Sequence, residues 1–183
     1  MAESIEWRRL DLPGREVAQL AKTADGWELS GLSVFTHDAR ACRLDYHVTC
    51  DEQWITQRCT VSGFIGDDAV AVDITRDSAG FWTMNATPVD ALTGCTDVDL
   101  GFSPSTNLLP IRRLELKIGA SAQVRAAWLR FPELELEVLD QVYTRLAHDR
   151  YRYVSAGGAF QRDLTVDDRG FVREYPGLWV AEG

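Results

Sequence analysis

Ala41-Cys42-Arg43-Leu44-Asp45-Tyr46-His47-Val48-Thr49-Cys50 sets the reading of the whole chain. Cys42, Leu44, Tyr46, Val48 and Cys50 alternate with Arg43, Asp45, His47 and Thr49, a period of two that belongs to a strand with one buried and one wet face. The same period continues on both sides. Downstream, Asp51-Glu52-Gln53 breaks the pattern before Trp54 to Phe64, a stretch rich in Thr, Val and Ile. Gly66-Asp67-Asp68 then turns the chain into Ala69 to Arg76, where Val70, Val72 and Ile74 share a face. Asp77-Ser78-Ala79-Gly80 closes a hairpin onto Phe81 to Asn85. Upstream, Arg15 to Phe35 reads as another hairpin with Asp25-Gly26 at its turn. Arg112 to Ile118 and Gln123 to Phe131 are expected to pair around Gly119-Ala120-Ser121. Glu133 to His148 carries two periods at once: Leu134, Val138, Val142 and Leu146 stand at helical spacing, while Leu134, Leu136 and Val138 alternate. A strand is expected for its first half, and the second half stays open.

An internal similarity links the two ends. Asp73-Ile-Thr-Arg-Asp-Ser-Ala-Gly-Phe-Trp82 aligns with Asp163-Leu-Thr-Val-Asp-Asp-Arg-Gly-Phe-Val172, matching Asp, Thr, Asp, Gly and Phe in register. Upstream of each copy lies an Arg among thiol or aromatic neighbours, Gln57-Arg58-Cys59 and Tyr151-Arg152-Tyr153. The similarity fits a single domain over 1–183 made of two related antiparallel meanders, about 15–86 and 112–179, joined by a loop over 87–111. It equally fits a common hairpin recipe used twice. The joining segment is rich in turn residues, and so long a connection is either functional or hides an element of its own.

Composition bounds the function. The chain has 183 residues, 45% hydrophobic and 26% charged, so it can bury a core and is neither disordered nor a disulfide-stapled mini-protein. Nineteen Lys and Arg against 28 Asp and Glu give a net charge of −9, which argues against nucleic acid and against an anionic membrane surface as partners. Met1 to Leu10 mixes charges of both signs without an apolar run, and no stretch is apolar enough for a spanning helix; a cytoplasmic location is expected. The four cysteines, Cys42, Cys50, Cys59 and Cys95, accordingly read as reduced thiols.

Metal and nucleophile chemistry find little support. Cys42 and Cys50 on one extended strand stand roughly 26 Å apart, too far for one tetrahedral zinc site, and His47 points to the opposite face. No metal and no cofactor are expected. Asp97-Val-Asp99 puts two carboxylates on one side if extended, a spacing that suits a divalent ion and equally suits turn carboxylates paired with Arg112 and Arg113. There is no Gly-x-Ser-x-Gly elbow, no phosphate-cradling loop, and no motif beside His37, His47 or His148. Six Trp, seven Phe and five Tyr lie in an almost all-β chain, many beside Arg or Asp, a mixture that suits an amphiphilic ligand or a plain core with ion pairs at its rim.

Cys42-Arg-Leu-Asp-Tyr46, Gly94-Cys-Thr-Asp-Val-Asp-Leu-Gly-Phe-Ser-Pro104, Thr106-Asn-Leu-Leu-Pro-Ile-Arg-Arg-Leu114, Ala127-Trp-Leu-Arg-Phe-Pro132 and Tyr175-Pro-Gly-Leu-Trp179 together resemble the glycolipid-binding family of bacterial proteins, in order and over nearly the whole chain. The resemblance implies a strongly curved antiparallel sheet with little helix, similar to the half-barrels of bacterial lipid and lipoprotein carriers, wrapping an apolar interior. No catalytic residue comes with it. The expected function is non-enzymatic binding of a glycolipid or other amphiphile. Its acyl part would lie in the sheet's concavity against Phe102, Leu108, Leu109, Trp128 and Trp179, and its head group near Asp97, Asp99, Asn107, Arg112 and Arg113. Two other readings remain: a hydrolase on a sugar or lipid ester using Asp97, Asp99 or Asp45 as acid or base, and a structural protein with a filled core.

Overall fold

Alternating burial runs through fifteen strands of a single sheet. The computed structural model describes residues 3–183. The first eight strands are β1 (Glu3–Arg9), β2 (Gly14–Lys22), β3 (Trp27–His37), β4 (Arg40–Cys50), β5 (Thr56–Ile65), β6 (Asp68–Arg76), β7 (Trp82–Met84) and β8 (Thr87–Pro88). The rest are β9 (Asp97–Leu100), β10 (Ser121–Arg130), β11 (Glu135–Ala147), β12 (Arg150–Ser155), β13 (Phe160–Val166), β14 (Val172–Tyr175) and β15 (Trp179–Glu182). One helix, α1 (Leu108–Leu114), precedes β10. The spatial order is β8 to β1, then β15 down to β9, so two meanders join where the N-terminal strand β1 pairs antiparallel with the C-terminal β15. All pairings are antiparallel except β9 with β10. The expected mainly β architecture, a curved, open sheet with little helix, is the one found.

The sheet curves because its inner face, from both meanders, packs on one object: the segment between β8 and β10. Phe102 sits edge-on to Tyr46 of β4 and to Phe131, Asn107 bonds Tyr143 of β11, and Ser103 bonds Glu16 of β2. Thr56 ties this segment to the far meander, donating its backbone N–H to Thr96 O at 3.1 Å while its Oγ1 accepts the Val98 N–H at 3.1 Å. The concavity is therefore occupied by the chain itself, with Leu92, Leu100, Phe102, Leu108 and Leu109 all buried in the one hydrophobic core.

Two expectations are corrected here, and one left open is resolved. The segment 87–111 is not an irregular loop but carries β8, two short 3-10 turns, β9 and the first turn of α1. Arg112 to Ile118 is not a strand: β10 already has β9 on one side and β11 on the other, so no edge remains for it. Its first three residues instead end α1, which stops at Glu115 in a left-handed conformation (φ 43°). Pro110 lies in the first helical turn, where its missing N–H costs no hydrogen bond. Finally, the second half of Glu133 to His148 is strand as far as Ala147, because Val142 pairs with Val154 in a ladder with β12, with Leu146 at the register shift between Arg145 and Ala147.

The two aligned segments adopt the same turn. Asp77 Oδ1 accepts the N–H groups of Ala79 and Phe81 at 3.0 and 2.9 Å, and Asp167 Oδ1 accepts those of Arg169 and Phe171 at the same distances. Arg58 makes a two-pronged pair with Asp73, and Arg152 with Asp163. The registers differ, since Arg152 stands directly opposite Asp163 whereas Arg58 stands opposite Thr75.

Candidate functional site

Where β9 runs beside β10, the inner face of the C-terminal meander stands open around a cavity of about 350 Å³. Its position follows from local sequence. The backbone of Gly101 donates to Leu129 O at 3.0 Å, and a Cβ at 101 would stand 2.9 Å from the Trp128 indole nitrogen, so only glycine lets the segment lie this close to β10. That approach leaves Trp128 facing Asp99 across the parallel ladder. Opposite them, Tyr153 on β12, Phe160 on β13 and Tyr175 on β14 form an aromatic wall, with Tyr153 within 6.3 Å of both other rings. Trp179 on β15 completes the wall, and Arg9 stacks on it, 4.8 Å from the ring centre.

The polar floor comes from the central segment. Asp99 accepts one hydrogen bond, from Gln141 Nε2 at 2.6 Å. Burial, with the charge of neighbouring Asp97, pushes its carboxyl up to about 6 against the pull of that Gln141 bond. Its own charge in turn contributes to raising Tyr143, Tyr153 and Tyr175, so the three phenols remain neutral donors. Asn107 gives Nδ2 to Tyr143 Oη at 2.8 Å and keeps its carbonyl oxygen free. Ser103 and Ser155 add hydroxyls.

Behind Ser103 lies a buried carboxylate that sequence reading missed. Glu16 is fully buried and accepts Tyr46 Oη at 2.7 Å and Ser103 Oγ at 2.5 Å on the same oxygen, Oε1; its Oε2 has no partner. Tyr46 reaches it by crossing Gly31, where a Cβ would stand 2.3 Å from the phenol oxygen. Burial dominates and pushes Glu16 up to about 7 despite its hydrogen bonds and the charge of Arg9. The sequence held one signal, since Glu16 has the same parity as inward-facing Ala18 and Leu20.

Of the ten residues singled out from sequence, Asp99, Asn107, Trp128 and Trp179 surround this cavity. Phe102, Leu108 and Leu109 lie in the core beneath it. Asp97 is buried in a two-pronged pair with Arg113 at 3.1 and 2.5 Å. Arg112 stands elsewhere, 5.1 Å over the Trp54 ring and lining a separate cavity of about 440 Å³ near Gly170. Asp45 is an outer-face residue paired with Arg43. All four thiols are buried and free, and burial raises each of them, Cys50 to about 12 and Cys95 to about 11. No helix among the described residues is long and apolar enough to cross a membrane.

The family model described as "Putative glycolipid-binding" matches residues 4–181. Among solved structures, the crystal structure of a DUF1089 family protein from Pseudomonas aeruginosa is similar to this chain at 30% identity, covering 89% of this chain and 90% of that one with a TM-score of 0.79. No curated protein matches.

Proposed function

The chain belongs to the glycolipid-binding family, and from that premise we propose that it is a binding protein that holds the compact head group of an amphiphile, a glycolipid, in the cavity between Trp128, Trp179 and Asp99. One observation carries this reading: the cavity combines aromatic walls with a few converging polar groups, the composition of a small-molecule site. Its 350 Å³ falls at the lower end of the roughly 300–1,000 Å³ usual for ligand pockets, room for a head group and not for acyl chains. The acyl part cannot enter the concavity, which the segment around Leu108 and Leu109 fills. It would leave across the partly exposed Leu139 and Leu178 at the rim.

Binding is favoured over hydrolysis by the carboxylate count. Asp99 is the one carboxylate lining the cavity, so an acid and base pair working across a bond has no second member there. Asp97 is held by Arg113 and cannot supply it.

Native mass spectrometry of the protein purified from its own host tests the proposal. The expected spectrum carries an added mass of one amphiphile that is released by organic solvent and diminished in W128A. A bare protein that also takes up no fluorescent glycolipid would contradict it.

A further inference from the structure

Among the described residues, no Lys, Arg or His lines the cavity. Arg162 stacks on Phe160 at 4.7 Å, with Nε on Pro176 O and one terminal nitrogen on Gln161 O. Arg9 stands behind Trp179, bound through Nε and one terminal nitrogen to Asp11. Arg113 is committed to Asp97, and Arg112 faces the other cavity. What remains inside is one carboxylate and a set of neutral groups.

The unused polar atoms include two acceptors beside neutral donors, the Trp128 and Trp179 indole N–H groups and the Tyr175 hydroxyl. Asp99 Oδ1 takes no protein hydrogen bond, since Gln141 occupies Oδ2. The Asn107 carbonyl oxygen is likewise unpaired, because its amide nitrogen is the atom bound to Tyr143. A ligand that fits must donate to Asp99 and Asn107 while accepting from the indoles and the phenol, and must not bring a negative charge beside Asp99 with no cation lining the cavity to offset it. Vicinal ring hydroxyls meet both requirements, and the aromatic walls can receive the apolar face of the same ring.

We infer that the cavity selects an uncharged, hydroxyl-rich glycosyl head group and rejects head groups bearing phosphate or carboxylate. The inference rests on the head-group reading of the cavity given above, and it leaves Arg112 and Arg113, expected near the head group, outside the site. It adds a specificity determinant, Asp99, whose role is to accept from sugar hydroxyls and to repel anions.

The test is calorimetric titration of the full chain at pH 7.5 with octyl glucoside and octyl phosphate, both below their micellar concentrations. These amphiphiles share a tail and differ in the head. Octyl glucoside is expected to bind saturably, and octyl phosphate roughly tenfold to a hundredfold more weakly, a size between the water-screened and the partly buried limits for two like charges a few ångströms apart. D99N, confirmed as folded by circular dichroism, is expected to narrow that ratio to about threefold. Equal or tighter binding of octyl phosphate by the wild-type protein would overturn the selectivity while leaving the cavity a binding site. Failure of both amphiphiles to bind would overturn the head-group reading itself, and the inference with it. The wild-type comparison decides the matter even if D99N does not fold.

Discussion

Replacing Glu16 by Gln should stabilise the protein at pH 8 and do much less at pH 5. Glu16 is fully buried, one of its oxygens has no partner, and its carboxyl is pushed from an ordinary 4.5 up to about 7. Below pH 4.5 both folded and unfolded chains hold the proton, and the group contributes no penalty. Between 4.5 and 7 the folded chain keeps a proton that the unfolded chain has lost, so stability falls as pH rises; above 7 the loss is complete and constant. At about 1.4 kcal/mol per pH unit of displacement, the full penalty is about 3 kcal/mol. Gln keeps an oxygen for Tyr46 and Ser103 and turns a donor toward the unpartnered Ser33 hydroxyl. Urea unfolding of both proteins at pH 5 and pH 8 isolates this group, because every other titration is common to the pair. The expected result is a stability difference that shifts in favour of E16Q by about 2.5 kcal/mol between the two pH values. A difference that does not change with pH, or an E16Q protein that loses ground at pH 8, would show that the charged carboxylate is welcome where it sits.

Three further outcomes follow from the same geometry. R113M leaves Asp97 buried and unpaired and should cost about 3–5 kcal/mol in urea unfolding, most of it recovered in D97L/R113M; a neutral R113M would show the pair to be idle. D77A and D167A each remove the acceptor of two turn N–H groups, so each should cost about 1–2 kcal/mol by the same assay, and a large effect at only one turn would contradict their equivalence. The four thiols should resist a disulfide reagent at pH 8 for as long as the chain is folded and react together on unfolding; rapid labelling of Cys50 or Cys59 in the native protein would contradict their burial.

Much of the sheet was legible because one face of each long strand is buried and the other is not: the Cys42 to Cys50 alternation is also the observed burial pattern of β4. The short strand β1 escaped notice because only Ile5 and Trp7 carry its inward face. The helix α1 escaped because its residues are divided between a segment read as loop and one read as strand, and what forbids that strand is the occupancy of both edges of β10, a long-range fact no local pattern holds. The cavity was legible in part. Asp99, Asn107, Trp128 and Trp179 lie in segments whose mixture of apolar and polar residues drew attention. Tyr153 and Tyr175 stood in quoted segments without being placed at a site, and Phe160 drew no attention, because their convergence depends on two successive antiparallel pairings. Glu16 stayed hidden because its partners, Tyr46 and Ser103, lie 30 and 87 residues away.

The central claim is that a glycosyl head group enters between Trp128 and Trp179, and the indole N–H resonances of the isotopically labelled protein report on it directly. On titration with octyl glucoside, the signals of Trp128 and Trp179 should move saturably. Those of Trp7 and Trp82, whose indole nitrogens are bound in the core to Val172 O and Cys95 O, should stay in place. Saturable shifts at Trp7 or Trp82 with Trp128 and Trp179 unmoved would contradict the account.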